Sequence, residues 1–241
     1  MTVGVASGLV LMVTAVAARR TAGQIRAMRE AGLSVPALHH DVLLPGRGHP
    51  LRLTVIGDSA AAGHGLPDAD AGLARQVGRR LAARTGRPVE VASLAVDGAT
   101  TADVAEGQVP AIGGDADVVL VGVGVNDAVR GRSKARVRAA TEALLADVAV
   151  TAPGAVVALL TCPDLASAPG MPTVLRPVLG RSCRRVAAAQ RAAAASAGAV
   201  TVGADGHLPT AAFGPDGFHP GPLGIAVLAD RVDSALGSRI G

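Results

Sequence analysis

The 241-residue chain has no tryptophan and no tyrosine, and only two phenylalanines, Phe213 and Phe218. So few aromatics argue against a base-stacking nucleic-acid platform and against sugar binding by ring stacking. Lysine is nearly absent too. Lys134 stands alone among 23 basic residues, the rest being arginines scattered along the sequence. A strip that reads nucleic acid is clustered and usually includes lysine, so no nucleic-acid partner is expected despite the net charge of +4. Two cysteines, Cys162 and Cys183, are too few for a disulfide scaffold or a structural zinc site. They fit one bridge or, more simply, two buried thiols. What is plentiful is apolar: 49% of residues are hydrophobic against 17% charged. That supports one sizeable core, an α/β domain with an appendage.

The appendage is the N-terminus. Residues 1–33 read as an apolar to amphipathic helix and 34–50 as a Pro- and Gly-punctuated connector, with the domain beginning at Leu51. Val3 to Ala18 carries no charge and is followed by Arg19 and Arg20. The run is short of the ~20 residues that cross a bilayer. It lacks the basic segment that precedes a secretory signal's apolar stretch, and the arginines behind it favour a cytoplasmic side. Three readings stay open: a membrane-associated anchor, a cleaved signal, and a helix docked on the domain. Membrane association is expected to run through residues 3–18.

From Leu51 onward, strand-like and helix-like segments alternate. Leu51–Ile56, Val89–Leu94, Asp117–Val123, Ala155–Leu160 and Ala199–Val202 read as strands. The third is a nearly unbroken apolar run, as in a parallel strand covered on both faces. Helices are expected over Ala71–Arg84, Thr100–Val109, Lys134–Val150, Arg181–Ala197 and Gly221–Leu236. Alternation implies parallel pairing and a three-layer α/β/α sandwich of about five strands. Ligands in such folds bind beyond the carboxyl ends of the strands.

Polar residues of chemical interest fall in those places. Gly57-Asp58-Ser59 leaves the first strand and presents a hydroxyl on a tight turn, near backbone N–H donors at a helix start. Gly98 follows the second strand; it offers a backbone N–H to a ligand or simply supplies a positive φ. Gly124-Val125-Asn126-Asp127 follows the third, and the Asn126 amide either donates to a developing oxyanion or caps the loop. Asp216-Gly217-Phe218-His219 precedes the last helix, where a carboxylate three residues before a histidine reaches its Nδ1–H within one turn. The other histidines fit less well: His39, His40 and His49 lie before the domain, His207 has Asp205 only two residues back, and His64 follows the serine too closely to approach its hydroxyl.

This order, Ser, Gly, Asn, then Asp-x-x-His, resembles the SGNH hydrolases, the GDSL esterase/lipase family, over roughly Leu51 to Leu236. The leucine usual after Gly-Asp-Ser is replaced by Ala60. The resemblance implies a flavodoxin-like sandwich and a serine esterase with Ser59 as nucleophile, His219 as general base and Asp216 orienting it. It also implies an oxyanion hole of the Ser59 and Gly98 N–H groups and the Asn126 side chain. Asp58 and Asp127 are read as loop-fixing. The match is nearest to small bacterial esterases with an apolar N-terminus. The apolar residues 3–18 lead to an expected membrane-associated or bacterial cell-envelope location, with a cytoplasmic face also open. No metal or cofactor is expected. Because the base must be neutral, activity falls as pH drops below ~6–7.

The expected partner is a small acyl ester, of short chain because the sequence has no separate lid domain. The apolar loop 163–180 is expected to wall an acyl pocket or to pack as a connection, with Met171, Leu175, Phe213 and Phe218 as candidate lining residues. Lysophospholipase, thioesterase and polysaccharide O-acetyl esterase activities use the same site chemistry. A non-catalytic membrane-associated binding protein on this scaffold is the alternative from a different class.

Overall fold

The computed structural model describes residues 42–204 and 208–240. The apolar stretch 3–18, the helix expected over 1–33, and His39, His40 and His207 lie outside these residues. The chain opens with β1 (Val42–Leu44), β2 (Leu51–Gly57), α1 (Ser59–Ala62), α2 (Leu73–Thr85), β3 (Val89–Ser93) and α3 (Thr101–Gly107). It continues with β4 (Val118–Gly122), α4 (Val125–Val129), α5 (Lys134–Thr151), β5 (Val156–Leu160), α6 (Arg176–Ala197), β6 (Val200–Val202) and α7 (Pro222–Leu236).

The strands form one sheet in the order β1-β3-β2-β4-β5-β6. The five expected strands pair in parallel, and β1 adds a sixth, antiparallel to β3. This edge strand comes from the segment read as connector; three residues are too short for a periodic signal. The apolar run at 117–123 becomes β4, buried at all five positions. Its pleat divides it between two cores. Val118 and Leu120 face α2 and α7, meeting Val77, Leu81, Leu228 and Val232. Val119 and Val121 face the other layer, meeting Val104 of α3, Leu144 and Val148 of α5 and Ala194 of α6.

Helix α6 starts at Arg176, five residues before the expected Arg181. Pro177 explains the difference. In a helix's first turn its missing N–H has no intrahelical role to fill, so the residue that marks a loop in sequence begins a helix in space. Cys162 and Cys183 are free thiols buried in a third cluster with Val186 and Leu165. Their mutual hydrogen bond, with burial, pushes the Cys162 thiol well above its ordinary value.

The topology positions the site. From β2 the order runs outward to β3 on one side and to β4, β5 and β6 on the other. Loops leaving β2 and its neighbours therefore diverge, which opens a crevice at their carboxyl ends. Gly57, Gly122 and Leu160 lie abreast across the sheet, so the loops after them emerge on one rim.

Candidate active site

Ser59 is the first residue of α1. The β2–α1 turn that carries it is held at several points. Gln108, buried, donates from Nε2 to the Gly57 carbonyl (2.9 Å) and accepts the Gly57 N–H at Oε1 (2.8 Å). The Asp58 N–H donates to the Gly122 carbonyl at 2.9 Å. Gly57 itself has φ +154°, and a Cβ there would sit 2.0 Å from the Gly122 oxygen. Only glycine allows β2 to approach β4 so closely where the turn carrying Ser59 begins. Since α1 is a single turn of four residues, the serine gains backbone donors there but little helix dipole, which needs a longer stack of aligned peptides.

Asp58 caps α1 by accepting the Ala60 N–H at 3.2 Å. Its other oxygen, Oδ2, is buried without a hydrogen-bond partner. Burial pushes the Asp58 carboxyl up to about 7, helped by repulsion from Asp127 and Asp97 and opposed by backbone hydrogen bonds. Asp58 therefore fixes the loop, as expected, but at a cost in stability. A folded pKa above the unfolded value of 3.8 means the penalty is absent below ~4, grows between ~4 and ~7 and is complete above that. Asp58→Asn keeps an oxygen for the cap and removes the charge. We expect it to raise stability at pH 8 by at most about 4 kcal/mol and the gain to vanish near pH 4, measured by thermal denaturation across that range.

At the other end of the chain, Asp216 organises its own loop. Oδ1 accepts the backbone N–H groups of Phe218 (2.9 Å) and His219 (3.0 Å), and Oδ2 lies 2.6 Å from His219 Nδ1. The local pairing expected from the three-residue spacing is present. Burial pushes the Asp216 carboxyl up, but the hydrogen bonds from His219 and Phe218 and the His219 charge outweigh it and hold it below the ordinary carboxylate range. The sign is opposite to that of Asp58: Asp216 contributes stability above the ordinary carboxylate pKa and loses it as pH falls through its own lowered value. His219, 6% exposed, turns Nε2 towards Ser59 Oγ at 2.9 Å. Two residues 160 positions apart thus meet on the rim.

The remaining motif residues line the same rim. Gly98 has φ +80°, and a Cβ there would meet nothing within 4 Å, so the backbone conformation, rather than crowding, is what calls for glycine. Asn126 donates from Nδ2 to the Ala99 carbonyl at 3.0 Å, and Arg130 donates to the Gly98 carbonyl at 3.3 Å; these bonds tie α4 to the loop after β3. Asp127 accepts both the backbone N–H (3.0 Å) and the hydroxyl (2.9 Å) of Thr101, which fastens α4 to the start of α3. That is the loop-fixing role expected of it.

Next to Ser59 and His219, which do not themselves line it, is a largely apolar cavity of about 60 Å³. Asp58 and Ala60, on either side of Ser59, line it, as do Phe218 and Pro220 on either side of His219. Phe213 and Phe218 are therefore wall residues, whereas Met171 and Leu175 do not line this cavity. The apolar loop divides its duties. Pro163, Asp164 and Leu165 form wall. Gly170 donates its N–H to the Gly217 carbonyl at 2.8 Å and so braces the Asp216–His219 loop. Val174 and Val178 point to solvent.

Residues 55–227 match the model of the GDSL-like lipase/acylhydrolase family. The chain belongs to this family. The GDSL-like esterase Rv1075c of Mycobacterium tuberculosis is 34% identical over 201 residues, covering 77% of this chain and 62% of that protein's length. Among solved structures, TesA superposes with a TM-score of 0.63 at 24% identity, over 78% of this chain and 98% of its own. The esterase EstA of Pseudoalteromonas, solved with monoethylphosphonate as inhibitor, gives 0.60 at 14% identity over 78% and 98%. Axe2, an acetyl-xylooligosaccharide esterase from Geobacillus, gives 0.59 at 19% over 79% and 95%. At these identities the structures establish a shared fold, in which this GDSL-family chain places its sheet and flanking helices alike.

Three supports of this GDSL-family site were not found by reading the sequence. Gln108 is one. Gln190, fully buried, is another: it donates to the Val123 carbonyl and accepts from the Cys162 N–H, both at 2.7 Å, joining the ends of β4 and β5 to α6. The third is His64, whose Nδ1 lies 2.6 Å from Asp97 Oδ2. A buried glutamine looks like a surface glutamine in sequence, and His64 and Asp97 stand 33 residues apart, so no local signal exposes them.

Proposed function

We propose that the protein is a carboxylic ester hydrolase acting on short-chain acyl esters through an acyl-serine intermediate. The observation that carries this reading is the contact chain Ser59 Oγ–His219 Nε2 (2.9 Å) and His219 Nδ1–Asp216 Oδ2 (2.6 Å). In this reading Asp216 holds the Nδ1–H, leaving the Nε2 lone pair to take the Ser59 proton as Oγ attacks the ester carbonyl. The same imidazolium then protonates the departing alcohol. Water repeats the sequence on the acyl-serine and releases the acid. The oxyanion accepts hydrogen bonds from the Ser59 and Gly98 N–H groups and from the Asn126 amide. One Asn126 N–H is committed to the Ala99 carbonyl, which orients the second for the oxyanion. Asn126→Ala is expected to lower kcat about 10²–10³-fold without ending it, read from steady-state kinetics.

In this reading the acyl chain enters the cavity beside Ser59 and His219, and the size of that cavity fits a short chain. An apolar cavity of ~150 Å³ takes benzene; one of about 60 Å³ suits a few carbons. With ~0.8 kcal/mol per buried CH₂, kcat/KM in a series of p-nitrophenyl esters should rise about four-fold per methylene until the cavity is full, then level or fall. A maximum at two to four carbons is expected. A maximum above about ten, where each added CH₂ still gains burial, would overturn the short-chain assignment. Acetyl esters of a polysaccharide share this acyl size, and release of acetate from an acetylated oligosaccharide tests that alcohol side directly.

A further inference from the structure

His64 is a buried imidazole that the acyl-transfer scheme leaves unused. Its side chain is 2% exposed. Nδ1 is engaged with Asp97 at 2.6 Å, while Nε2 is buried without a hydrogen-bond partner. The ring stands against that of His219, centroids 4.5 Å apart and planes tilted by 42°. Its backbone N–H donates to the Ser59 carbonyl at 2.9 Å, and Asp97 immediately precedes Gly98. The pair therefore connects the turn carrying Ser59, the loop carrying Gly98 and the ring of His219.

We propose that the His64–Asp97 pair is a positioning device for His219, fixing the plane of its ring during acyl transfer. Three physical points support it. First, an imidazole with an unmet buried nitrogen destabilises the fold relative to an apolar side chain of similar shape, and such groups concentrate where function requires them. Second, the 2.6 Å contact with Asp97 pins the His64 ring at Nδ1, so it holds its place against His219 as Ser59 loses its proton. Third, the contact is made ring to ring, so it constrains His219 from the side that Asp216 does not hold. A second ring against His219 is that of Phe218, edge-on at 5.2 Å, which carries no charge. The charged groups bonded to the two rings are Asp97, at His64, and Asp216, at His219.

This inference rests on the acyl-serine reading, and the experiment separates the two. Wild type, His64→Phe and Asp97→Asn are compared by thermal denaturation and by hydrolysis of p-nitrophenyl acetate from pH 5 to 9. His64→Phe keeps a ring at the contact and removes the unmet nitrogen together with the bond to Asp97, whose side chain is 29% exposed and can turn to water, so its Tm should stay near that of the wild type while kcat falls about ten- to a hundred-fold at little-changed KM. Asp97→Asn keeps an acceptor for His64 Nδ1–H but a weaker one, so its kcat should fall less than in His64→Phe, again at little-changed KM. Wild-type kcat in His64→Phe, or a larger loss in Asp97→Asn than in His64→Phe, overturns the proposal. So does a fall in Tm in both variants large enough to account for the lost activity, which would make the pair a structural staple. If the wild type itself is not labelled by a fluorophosphonate, it is the acyl-serine reading that fails.

Discussion

Ser59→Ala is expected to leave a folded protein that hydrolyses p-nitrophenyl acetate at least about 10⁴-fold more slowly than the wild type and that no fluorophosphonate labels. The reasoning is local. Ser59 is half-buried at the rim, and its hydroxyl meets His219 Nε2. Removing one oxygen there opens no core cavity, and alanine is as good a helix former as the position needs. The fold should therefore lose little, with Tm within a few degrees of the wild type. Chemistry loses much more. Without Oγ no acyl-serine forms, and His219 faces a methyl group. Residual turnover would come from the oxyanion donors and from water activated by His219, which is why a low rate persists although labelling does not. The comparison to make is intact mass after probe treatment alongside kcat. A Ser59→Ala protein that still gains the probe's mass, or retains wild-type kcat, would show that the nucleophile is elsewhere.

Asp216→Asn is expected to cost about 10⁴-fold in kcat for a different reason. The asparagine oxygen can still accept from the Phe218 and His219 backbone N–H groups, as Oδ1 does now at 2.9 and 3.0 Å, so the loop keeps its shape. What changes is the atom facing His219 Nδ1. An amide NH₂ there donates where the carboxylate accepted, which forces the imidazole proton onto Nε2. That nitrogen then points an N–H at Ser59 and has no lone pair to receive a proton. The loss of charge adds to this, because the imidazolium formed in the transition state no longer faces a carboxylate. KM should change little, since Asp216 is 7% exposed at its side chain and lies behind the histidine. A variant within ten-fold of wild-type kcat would remove Asp216 from the mechanism. The Asp58→Asn variant makes a useful contrast, because it tests a buried carboxyl whose charge opposes folding, whereas that of Asp216 is held by partners.

The two ends of the site were legible to different degrees. Asp216 and His219 could be paired from sequence because a three-residue spacing brings a carboxylate to an imidazole within one turn, whatever the rest of the chain does. The carboxyl ends of the strands marked Ser59, Gly98 and Asn126 because strands alternating with helices leave few other topologies. The lining of the cavity was half legible. Phe213 and Phe218 flank the histidine in sequence and line the wall, but Met171 and Leu175 stand in a loop whose path depends on its bracing against Gly217. Likewise Pro177 reads as a loop marker until the helix it begins is seen.

What the amino-acid order determined alone was the alternation of strands and helices, the doubly buried character of β4, and the local Asp–His pair, all of which arise from contacts between near neighbours or from periodicity. What only the tertiary structure decided was the meeting of Ser59 with His219, the anchoring of the β2 turn by Gln108, the antiparallel edge strand, and the packing of His64 against the ring of His219. Each of these joins segments separated by a loop closure, and the chain's order constrains such pairings only through the total energy of the packed fold, not through any local pattern.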